Sequence, residues 1–356
     1  MIDFNSYYSR QLLLPEIGVE GQKKLEQAKC LVVGAGGLGS PALLYLAAAG
    51  IGTLGICDGD CLEESNLHRQ PIYFAKDLGK SKADLAAQRV KELNPYIHVT
   101  SHPFRLSSEN AHSLFSQYDL VLDCTDNFRT KFLLNDAAYL FRKPLVRASI
   151  YQFEGQLQTY LPMRGDACLR CMWGAVPQEG CVGTCAQVGV LGPVPGLFGL
   201  LQAMEGIKYV LGMPTLGGGE ILFFDLIHYN QQRIAFERKS SCLLCGNEPS
   251  IRHLAQREVW EIECADLRRE GVTLIDIREE EETERDGYRE GAHEKMPMSR
   301  FDAAQLSETC EYVLFCQRGA RSARLVQKLR SEGRENVYSL IGGVEALRTA
   351  ECKLKM

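Results

Sequence analysis

The sequence predicts two α/β domains, and the first is predicted to hold a doubly wound, Rossmann-like parallel sheet. A buried strand at residues 30–33 runs into a glycine-rich turn at 34–39, and an Ala/Leu-rich helix follows to Ala49. A second buried strand at 53–57 ends at Asp58. A strand, a tight glycine turn, a helix and another strand, in that order, open a doubly wound sheet.

The elements that follow continue the same alternation. Residues 82–93 have the pattern of a helix that ends at Asn94-Pro95, and residues 118–123 have the pattern of a buried strand. Ligands of open α/β sheets gather at the carboxyl ends of strands, so residues 124–127 are expected at a site. Residues 162–195 are rich in Gly, Pro and Cys, which predicts a long irregular excursion before a helix resumes at 197–211.

A second unit starts after a linker. We divide the chain into residues 1–246, a linker at 247–257, and a smaller α/β domain at 258–356. The acidic run at 279–284 is expected to be solvated surface, because like charges repel in a packed site. The remaining elements of this domain are strands at 272–277 and 312–315, a loop at 316–322 and a helix at 323–332.

Composition excludes several classes of protein. Of 356 residues, 45% are apolar and 24% charged, which is typical of a globular protein and not of a disordered or fibrous one. The net charge of −5 argues against nucleic acid or an anionic membrane as partner. The longest apolar stretch, 41–57, is broken by glycines and is not expected to span a membrane. Residues 1–10 lack the apolar core of a secretory signal, so the fourteen cysteines indicate metal ligands and reactive thiols in the cytoplasm.

The glycine turn indicates a nucleotide site. Gly34, Gly36 and Gly39 have the spacing that lets backbone N–H groups approach a phosphate and lets a helix pack on a strand, with Gly37 in the same turn. Asp58, at the end of the next strand, is placed for a ribose hydroxyl. The pattern alone leaves NAD, FAD and ATP open.

Neighbouring polar residues favour ATP. Arg69 and Lys82 are expected near the end of the second strand, where a triphosphate needs fixed positive charge. Asp126 is a candidate Mg²⁺ ligand, since Mg²⁺ at phosphate sites commonly takes one or two carboxylates. Each of these residues alone has a simpler interpretation, the two cations as surface charges and Asp126 as a helix N-cap. The prediction of an ATP site therefore rests on the three residues together.

Two C-x₂-C pairs predict a structural zinc site, with Cys168, Cys171, Cys242 and Cys245 as its ligands. Four thiolates complete a tetrahedral zinc site and leave no open position for catalysis. The alternatives are free thiols or a redox pair.

Two further regions carry candidate nucleophiles. Cys185 and Cys181 lie on the irregular stretch, and chemistry alone does not separate them. Cys316 follows a strand and precedes a helix, so backbone N–H groups, the helix dipole, Arg318 and Arg321 would favour an anionic sulfur there. The Cys-x₄-Arg spacing is one residue tighter than the Cys-x₅-Arg loop of phosphatases, which favours sulfur transfer over phosphate-ester hydrolysis.

These motifs together resemble a known family over nearly the full length. Residues 1–246 resemble the MoeB/ThiF-type adenylyltransferases that activate ubiquitin-like sulfur-carrier proteins, and the remainder resembles a rhodanese domain. The motifs that carry the resemblance are residues 8–11, 34–39, 65–70, Lys82, 123–127, the two cysteine pairs and 199–205. One departure is the stretch 287–293, which lacks the His-Ile-Pro-Gly-Ala order typical of rhodaneses, so the second domain is expected to be divergent or slow.

The resemblance implies roles for individual residues. It places Asp58 at the ribose, Asn66, Arg69 and Lys82 at the phosphates, and Asp126 at Mg²⁺. It implies that Arg10 reaches into the ATP site of a second copy in a homodimer. It raises Cys185 above Cys181 as the crossover-loop thiol. It makes Cys316 the persulfide cysteine, with 276–278 as the strand-end motif.

The function expected from the sequence is therefore ATP-dependent adenylylation followed by sulfur transfer. The partners are a small ubiquitin-like carrier ending in Gly-Gly and, as sulfur donor, a cysteine desulfurase; molybdopterin, thiamine, cysteine and tRNA thiolation all remain open as pathways. Two rival hypotheses are a dinucleotide-dependent oxidoreductase, which needs neither Arg69 nor Lys82, and a zinc-stapled scaffold without catalysis.

Overall fold

The computed structural model describes residues 4–173, 189–254, 260–262, 264, 267, 272–285, 293–307 and 309–348. The chain divides into two compact units, Met1–Gln256 and Arg257–Met356. In the described part, no helix has both the length and the apolar character needed to cross a bilayer.

The first unit is built on an eight-stranded sheet in the order β3-β2-β1-β4-β5-β6-β7-β8. The first five strands in this order run parallel, and β6, β7 and β8 add an antiparallel extension. The strands are β1 (Lys29–Val33), β2 (Thr53–Cys57), β3 (His98–His102), β4 (Leu120–Asp123), β5 (Leu145–Tyr151), β6 (Glu154–Tyr160), β7 (Glu220–Asp225) and β8 (Asn230–Ala235).

Nine helices of this unit are described. They are α1 (Phe4–Tyr7), α2 (Ser9–Leu12), α3 (Gly18–Gln27), α4 (Gly39–Ala49), α5 (Lys82–Leu93), α6 (Ser108–Ser116), α7 (Phe128–Leu140), α8 (Leu169–Trp173) and α9 (Pro193–Leu211). Short 3₁₀ turns lie at Glu64–Asn66, Ala75–Asp77 and Pro162–Arg164.

The sheet brings three chain segments to one edge. Strands β1, β2 and β4 are adjacent and parallel, with Val33 in register with both Cys57 and Asp123. Their inner residues are buried on both faces, because α4 and α9 pack together on one side and α6 and α7 contact each other on the other. The turn at 34–39, Asp58 and residues 124–127 therefore leave the sheet at neighbouring strand ends.

Most predicted elements of this unit are confirmed. The strand at Thr53–Cys57 and the helix at Lys82–Leu93 have the predicted bounds. The helix expected to resume at 197 instead begins at Pro193, because proline fits the first turn of a helix, where its missing N–H is not needed.

The second unit contains a five-stranded parallel sheet in the order β11-β10-β12-β13-β9. Its strands are β9 (Glu261–Ile262), β10 (Val272–Asp276), β11 (His293–Lys295), β12 (Glu311–Phe315) and β13 (Val337–Leu340). Its helices are α10 (Glu280–Arg285), α11 (Ala320–Ser331) and α12 (Gly343–Arg348), with 3₁₀ turns at Met298–Arg300 and Ala303–Gln305. The predicted strand at 312–315 is confirmed with one more residue at its start, whereas the helix predicted from 323 begins at Ala320, directly after Gly319.

Candidate functional site

The glycine turn is packed so tightly that two positions exclude any side chain. Gly34 has φ +92°, and a Cβ there would lie 2.6 Å from the Cys124 carbonyl oxygen. A Cβ at Gly39 would lie 2.0 Å from the Gly34 carbonyl oxygen. Gly36 faces the Gln70 side chain, and Gly37 faces Pro195 on α9. The turn therefore lies between β4, the segment at 65–70 and α9, and it leads directly into the N-terminus of α4, where a phosphate is favoured.

Asp58 braces this turn. One carboxylate oxygen accepts a hydrogen bond from the Ala35 N–H at 2.7 Å, and the other accepts one from the Asp60 N–H at 2.8 Å. Burial and the neighbouring charge of Asp60 raise the pKa of Asp58. Asp58 thus holds the loop directly, and its remaining lone pairs are available to ribose hydroxyls.

Lys82 is a buried residue of the site, which argues against its interpretation as a surface charge. It is only 7% exposed, and its Nζ lies 3.6 Å from an Asp60 carboxylate oxygen. Asp60 also pairs with Arg105 at 2.9 Å. The Tyr73 hydroxyl lies within hydrogen-bond distance of the Ala35 and Lys82 carbonyl oxygens, at 2.8 and 3.2 Å, and so ties α5 to the glycine turn.

The segment at 65–70 contributes two of the predicted residues and one that sequence reasoning missed. Asn66 is buried, and Arg69 donates to the Ser65 carbonyl oxygen at 2.6 Å while its own backbone lies beside Gly37. Gln70 is 3% exposed, and its side-chain oxygen has no hydrogen-bond partner in the described structure. The Gln70 side-chain nitrogen lies near Gly36, and the unpaired amide oxygen of the same side chain is a candidate ligand group. The sequence contains no signal for it beyond its place in the motif.

Asp126 sits at the carboxyl end of β4 with a free carboxylate. It is exposed and has no hydrogen-bond or ion-pair partner among the residues that the structure describes. The adjacent Asn127 caps α7 by accepting a hydrogen bond from the Thr130 N–H at 2.8 Å. The alternative interpretation of Asp126 as the helix N-cap is therefore wrong, and its oxygens suit a Mg²⁺ ion held with phosphates.

Buried polar contacts of Asp123 and Gln202 hold the end of β4, next to Asp126, in place. Asp123, fully buried, accepts from the Thr125 N–H and hydroxyl at 3.0 and 2.6 Å, and it pairs with Lys131 at 3.4 Å. Gln202 of α9 donates to the Asp123 carbonyl oxygen at 2.7 Å and accepts from the Cys124 thiol. Sequence reasoning assigned no role to Gln202, because nothing local indicates a contact 79 residues away.

Arg10 lies on α2, between two residues that anchor this helix. The buried Tyr8 accepts a hydrogen bond from Asn94, and Gln11 donates to Gln22 and to the Ala49 carbonyl oxygen. Arg10 between them is exposed. This placement leaves its guanidinium available to another molecule.

The four predicted zinc ligands are brought together. Their sulfur atoms all lie within 4.8 Å of one another, and four of the pairs are separated by 3.4 to 3.8 Å. A zinc ion about 2.3 Å from each of four tetrahedral sulfurs would separate them by about 3.8 Å. All four residues are buried. The set fits a closed structural zinc site.

Cys185 and Cys181 lie outside the described residues. The departure from the rhodanese pattern at 287–293 also lies there for the most part.

Cys316 lies in a cradle of hydrogen-bond donors at the end of β12. It is 2% exposed, and its sulfur accepts from the Gly319 N–H at 3.2 Å and lies 3.8 Å from the Ser322 hydroxyl. Gly319 has φ +92° and precedes α11 directly. Donors that converge on one sulfur ahead of a helix suit a position where sulfur carries negative charge during a reaction.

The acidic run does not behave as plain solvated surface, so that expectation is wrong for one member. Glu282 forms a two-pronged ion pair with Arg321, in the first turn of the helix α11 that follows Cys316, with both N···O distances at 2.6 Å. This pair lowers the pKa of Glu282. Like charges in the run are tolerated because a cation from another element offsets one of them.

Asp276 and Arg278 form the strand-end motif beside this loop. Both are buried, and Arg278 Nη2 lies 2.8 Å from an Asp276 carboxylate oxygen. Arg278 also donates to the Gln317 side chain at 3.1 Å. The pair therefore holds the loop that begins at Cys316.

Comparison with known proteins agrees with both units. Residues 8–244 match the ThiF family, and residues 263–350 match the rhodanese-like domain. The sulfur carrier protein adenylyltransferase of Thermus thermophilus is 43% identical over 257 residues, which are 71% of this chain and 95% of that protein. The probable adenylyltransferase/sulfurtransferase MoeZ of Mycobacterium tuberculosis is 37% identical over 360 residues, which are 95% of this chain and 91% of that protein.

Solved structures agree on the fold of the first unit. The crystal structure of Escherichia coli MccB with ATP matches with a TM-score of 0.60 at 22% identity, over 68% of this chain and 75% of that one. That likeness concerns the fold alone. The chain belongs to the ThiF family, carries a C-terminal rhodanese-like domain, and is an enzyme of the adenylyltransferase and sulfurtransferase class.

Proposed function

We propose that the chain adenylates the C-terminal glycine of a small ubiquitin-like carrier protein and then exchanges the adenylate for sulfur carried on Cys316. One observation carries the proposal. The same chain contains a glycine turn of the nucleotide-binding type, close to the exposed carboxylate of Asp126, and a cysteine whose sulfur accepts from an N–H and a hydroxyl group. The name of the Thermus relative supports a sulfur-carrier substrate.

In the first step the glycine carboxylate attacks the α-phosphorus of ATP, and pyrophosphate leaves. A carboxylate is a poor electrophile, and the mixed anhydride with AMP gives it a leaving group. Asp58 holds the ribose, while Asn66, Arg69 and Lys82 bind the phosphates. Asp126 would hold Mg²⁺, which offsets phosphate charge. Such a displacement needs positioning and electrostatic stabilisation more than covalent help from the protein.

In the second step the terminal sulfur of a Cys316 persulfide attacks the acyl carbonyl and displaces AMP. This leaves an acyl disulfide on Cys316. We assign Cys185 a second thiol role, through a transient acyl or disulfide link: attack of a thiolate on the Cys316 sulfur breaks the S–S bond, releases the thiocarboxylate and forms a disulfide, which an external thiol then reduces. The donors at Gly319 and Ser322 stabilise the sulfur anion.

The wider setting is also proposed. Arg10 completes the nucleotide site of a second copy in a homodimer, a cysteine desulfurase loads Cys316, the four-cysteine cluster holds zinc, and the work takes place in the cytoplasm. Capture of candidate carriers that end in Gly-Gly, read by the mass of the thiocarboxylated product, identifies the carrier and thereby one of the molybdopterin, thiamine, cysteine or tRNA pathways.

Two variants test the order of steps. Cys316→Ala should abolish thiocarboxylate formation and leave carrier-dependent ATP–pyrophosphate exchange intact, whereas Asp126→Ala should remove both. Cys310→Ala is the matched control, because Cys310 is an exposed thiol of the same unit. Loss of exchange in Cys316→Ala would contradict the two-step scheme.

Nucleotide preference separates the rival hypotheses. ATP at 100 times its Kd should stabilise the fold by about 2.7 kcal/mol, and NAD should not. The reverse result would favour a dinucleotide-dependent oxidoreductase. A non-catalytic scaffold would be favoured if the chain shows neither activity and its carrier binding is unchanged by the loss of Cys316 and Asp126.

A further inference from the structure

We propose that residues 168–171, the zinc knuckle, position the strand end that carries Asp126, so that metal in the four-cysteine cluster and Mg·ATP at the nucleotide site strengthen each other's binding. The inference rests on the proposed function for the identity of both ligands. A purely structural zinc ion would only hold chain segments together, whereas here particular residues connect the cluster to the nucleotide site.

The connection starts with the two residues between the paired cysteines. Arg170 forms a two-pronged ion pair with Asp136 of α7, with N···O distances of 2.8 and 2.7 Å. The Leu169 N–H donates to the Asn135 side-chain oxygen at 2.7 Å. The Arg170 guanidinium also lies 5.1 Å from the ring centre of Phe132, on the same helix. The knuckle is therefore attached to α7 by contacts from both of its non-cysteine residues.

These contacts are buried, which makes them costly to lose. Asn135 is fully buried, and its side-chain oxygen also accepts from Arg147 at 3.3 Å. Its amide donates to Asp136 at 3.1 Å, and Asp136 is 5% exposed. A buried carboxylate that loses its cationic partner is strongly unfavourable, so α7 must move or expose these groups when the knuckle loosens.

The other end of α7 carries the candidate Mg²⁺ ligand. Asn127 caps this end, directly after Asp126, and Lys131 one turn later is paired with Asp123 of the strand. Asn127 and Asn135 are eight residues apart, so about 12 Å of continuous helix separates the cap from the knuckle contacts. A displacement of α7 at the knuckle is thereby passed to the turn at 124–127.

Metal binding decides whether the knuckle is held. Without a metal ion, four buried thiols supply only weak hydrogen bonds between sulfurs, and binding energy at such a site is folding energy. Coupling between two binding sites is reciprocal in affinity, so Mg·ATP must also tighten metal binding. Because the metal leaves when the knuckle loosens, we expect this gain in affinity to appear as slower metal release.

The test measures zinc release from the full chain. Protein loaded with one zinc ion is mixed with an excess of a colorimetric chelator, with and without saturating Mg·ATP. We expect Mg·ATP to slow release at least about fivefold, the lower end of the range for coupled sites. Because nucleotide can itself bind zinc, the same pair of rates is measured in Asp126→Asn, where the slowing should disappear.

Asp136→Asn and Arg170→Lys test the connecting residues. Both should speed zinc release and abolish the effect of Mg·ATP on it, since Asn lacks the charge and Lys lacks the planar fork. Asp77→Asn is the matched control, because Asp77 is a buried carboxylate paired with Arg89 that contacts neither α7 nor the knuckle in the described structure. It should keep the coupling.

The outcomes separate this inference from the proposed function. If wild-type protein binds zinc and gains thermal stability with ATP, yet releases zinc at the same rate with and without Mg·ATP, the coupling is refuted and the proposed function stands. The coupling is refuted in the same way if Asp77→Asn loses it as fully as Asp136→Asn does. If the protein holds no zinc, the coupling falls and the proposed adenylylation and sulfur transfer stand; if it gains no stability from ATP, both fall.

Discussion

Replacement of Asp126 by Asn separates a ligand role from a structural one. Its carboxylate is exposed and unpaired in the described structure, and Asn127 rather than Asp126 caps α7. A surface substitution of this kind usually changes the free energy of unfolding by less than about 0.5 kcal/mol. We therefore expect Asp126→Asn to unfold at the same denaturant concentration as the wild type.

Nucleotide binding should respond very differently. A contact to a charged group is worth about 1.5–3 kcal/mol, so loss of the carboxylate should weaken Mg·ATP binding about 10- to 150-fold. The affinity of ATP measured without Mg²⁺ should change little, since the substitution removes a metal ligand and no phosphate contact. Calorimetric titration with ATP at several Mg²⁺ concentrations, together with carrier-dependent pyrophosphate exchange, gives both quantities.

Asn127, the residue after Asp126, should show the opposite pattern, with a larger effect on stability than on nucleotide binding. Asn127→Ala removes the acceptor for the Thr130 N–H and should cost about 1 kcal/mol of unfolding free energy. Its effect on the Mg²⁺ dependence of ATP binding should be smaller than that of Asp126→Asn. The reasoning is refuted if Asp126→Asn destabilises the fold as much as Asn127→Ala does while Mg²⁺-dependent ATP affinity stays at the wild-type value.

Three further predictions follow from the charges of the two units. Burial and the charge of Asp60 raise the pKa of Asp58. The folded state is therefore stabilised as the pH falls through the raised pKa, because the cost of the buried charge is removed. The protonated carboxyl, however, is a weaker acceptor for the Ala35 N–H. ATP affinity should therefore decline over that pH range, and titrations of Asp58→Asn at the same pH values should show no such decline. Removal of zinc by a chelator should lower the thermal midpoint of the first unit and leave that of the second unchanged in calorimetry; a shift in the second alone would count against a zinc site in the cluster. Glu282→Gln frees Arg321 beside Cys316, so persulfide formation from a small dianion such as thiosulfate should become faster, with little change in stability because the ion pair is about one-third exposed; an unchanged rate would mean that Arg321 does not face the donor.

The sequence was sufficient where local pattern determines structure. The strand at Thr53–Cys57 and the helix at Lys82–Leu93 follow from a buried run and from a 3.6-residue period that ends at Asn94-Pro95. The start of α9 was misplaced because Pro193 and Pro195 have the character of helix breakers, although proline is tolerated in a first turn. The position of these prolines within the helix, rather than the residue type, therefore determines whether they are compatible with it.

The sequence predicts which residues belong to the candidate site, but it does not predict the contacts between them. The glycine turn, Asp58, Lys82 and Asp126 carry their chemistry in residue type and spacing. The bond from Gln202 to the end of β4 and the pair between Glu282 and Arg321 join residues 79 and 39 positions apart, so no local window contains both partners. Periodicity reports which face of an element is buried, but it does not report which polar groups meet inside.

The two units share one backbone device, a glycine with positive φ between a strand and a helix. In each, a strand ends at or near a glycine with φ +92°, Gly34 in the first unit and Gly319 in the second, and a helix follows within a few residues. In the second unit the turn's donors already serve the sulfur of Cys316, which belongs to the chain. In the first, the braces come from Asp58 and Tyr73, which hold the turn by Ala35 and so can keep it open for an anion that enters and leaves. The proposed function accounts for this difference. ATP would enter and leave the first turn in every reaction, whereas the sulfur of Cys316 stays covalently attached to the chain between cycles.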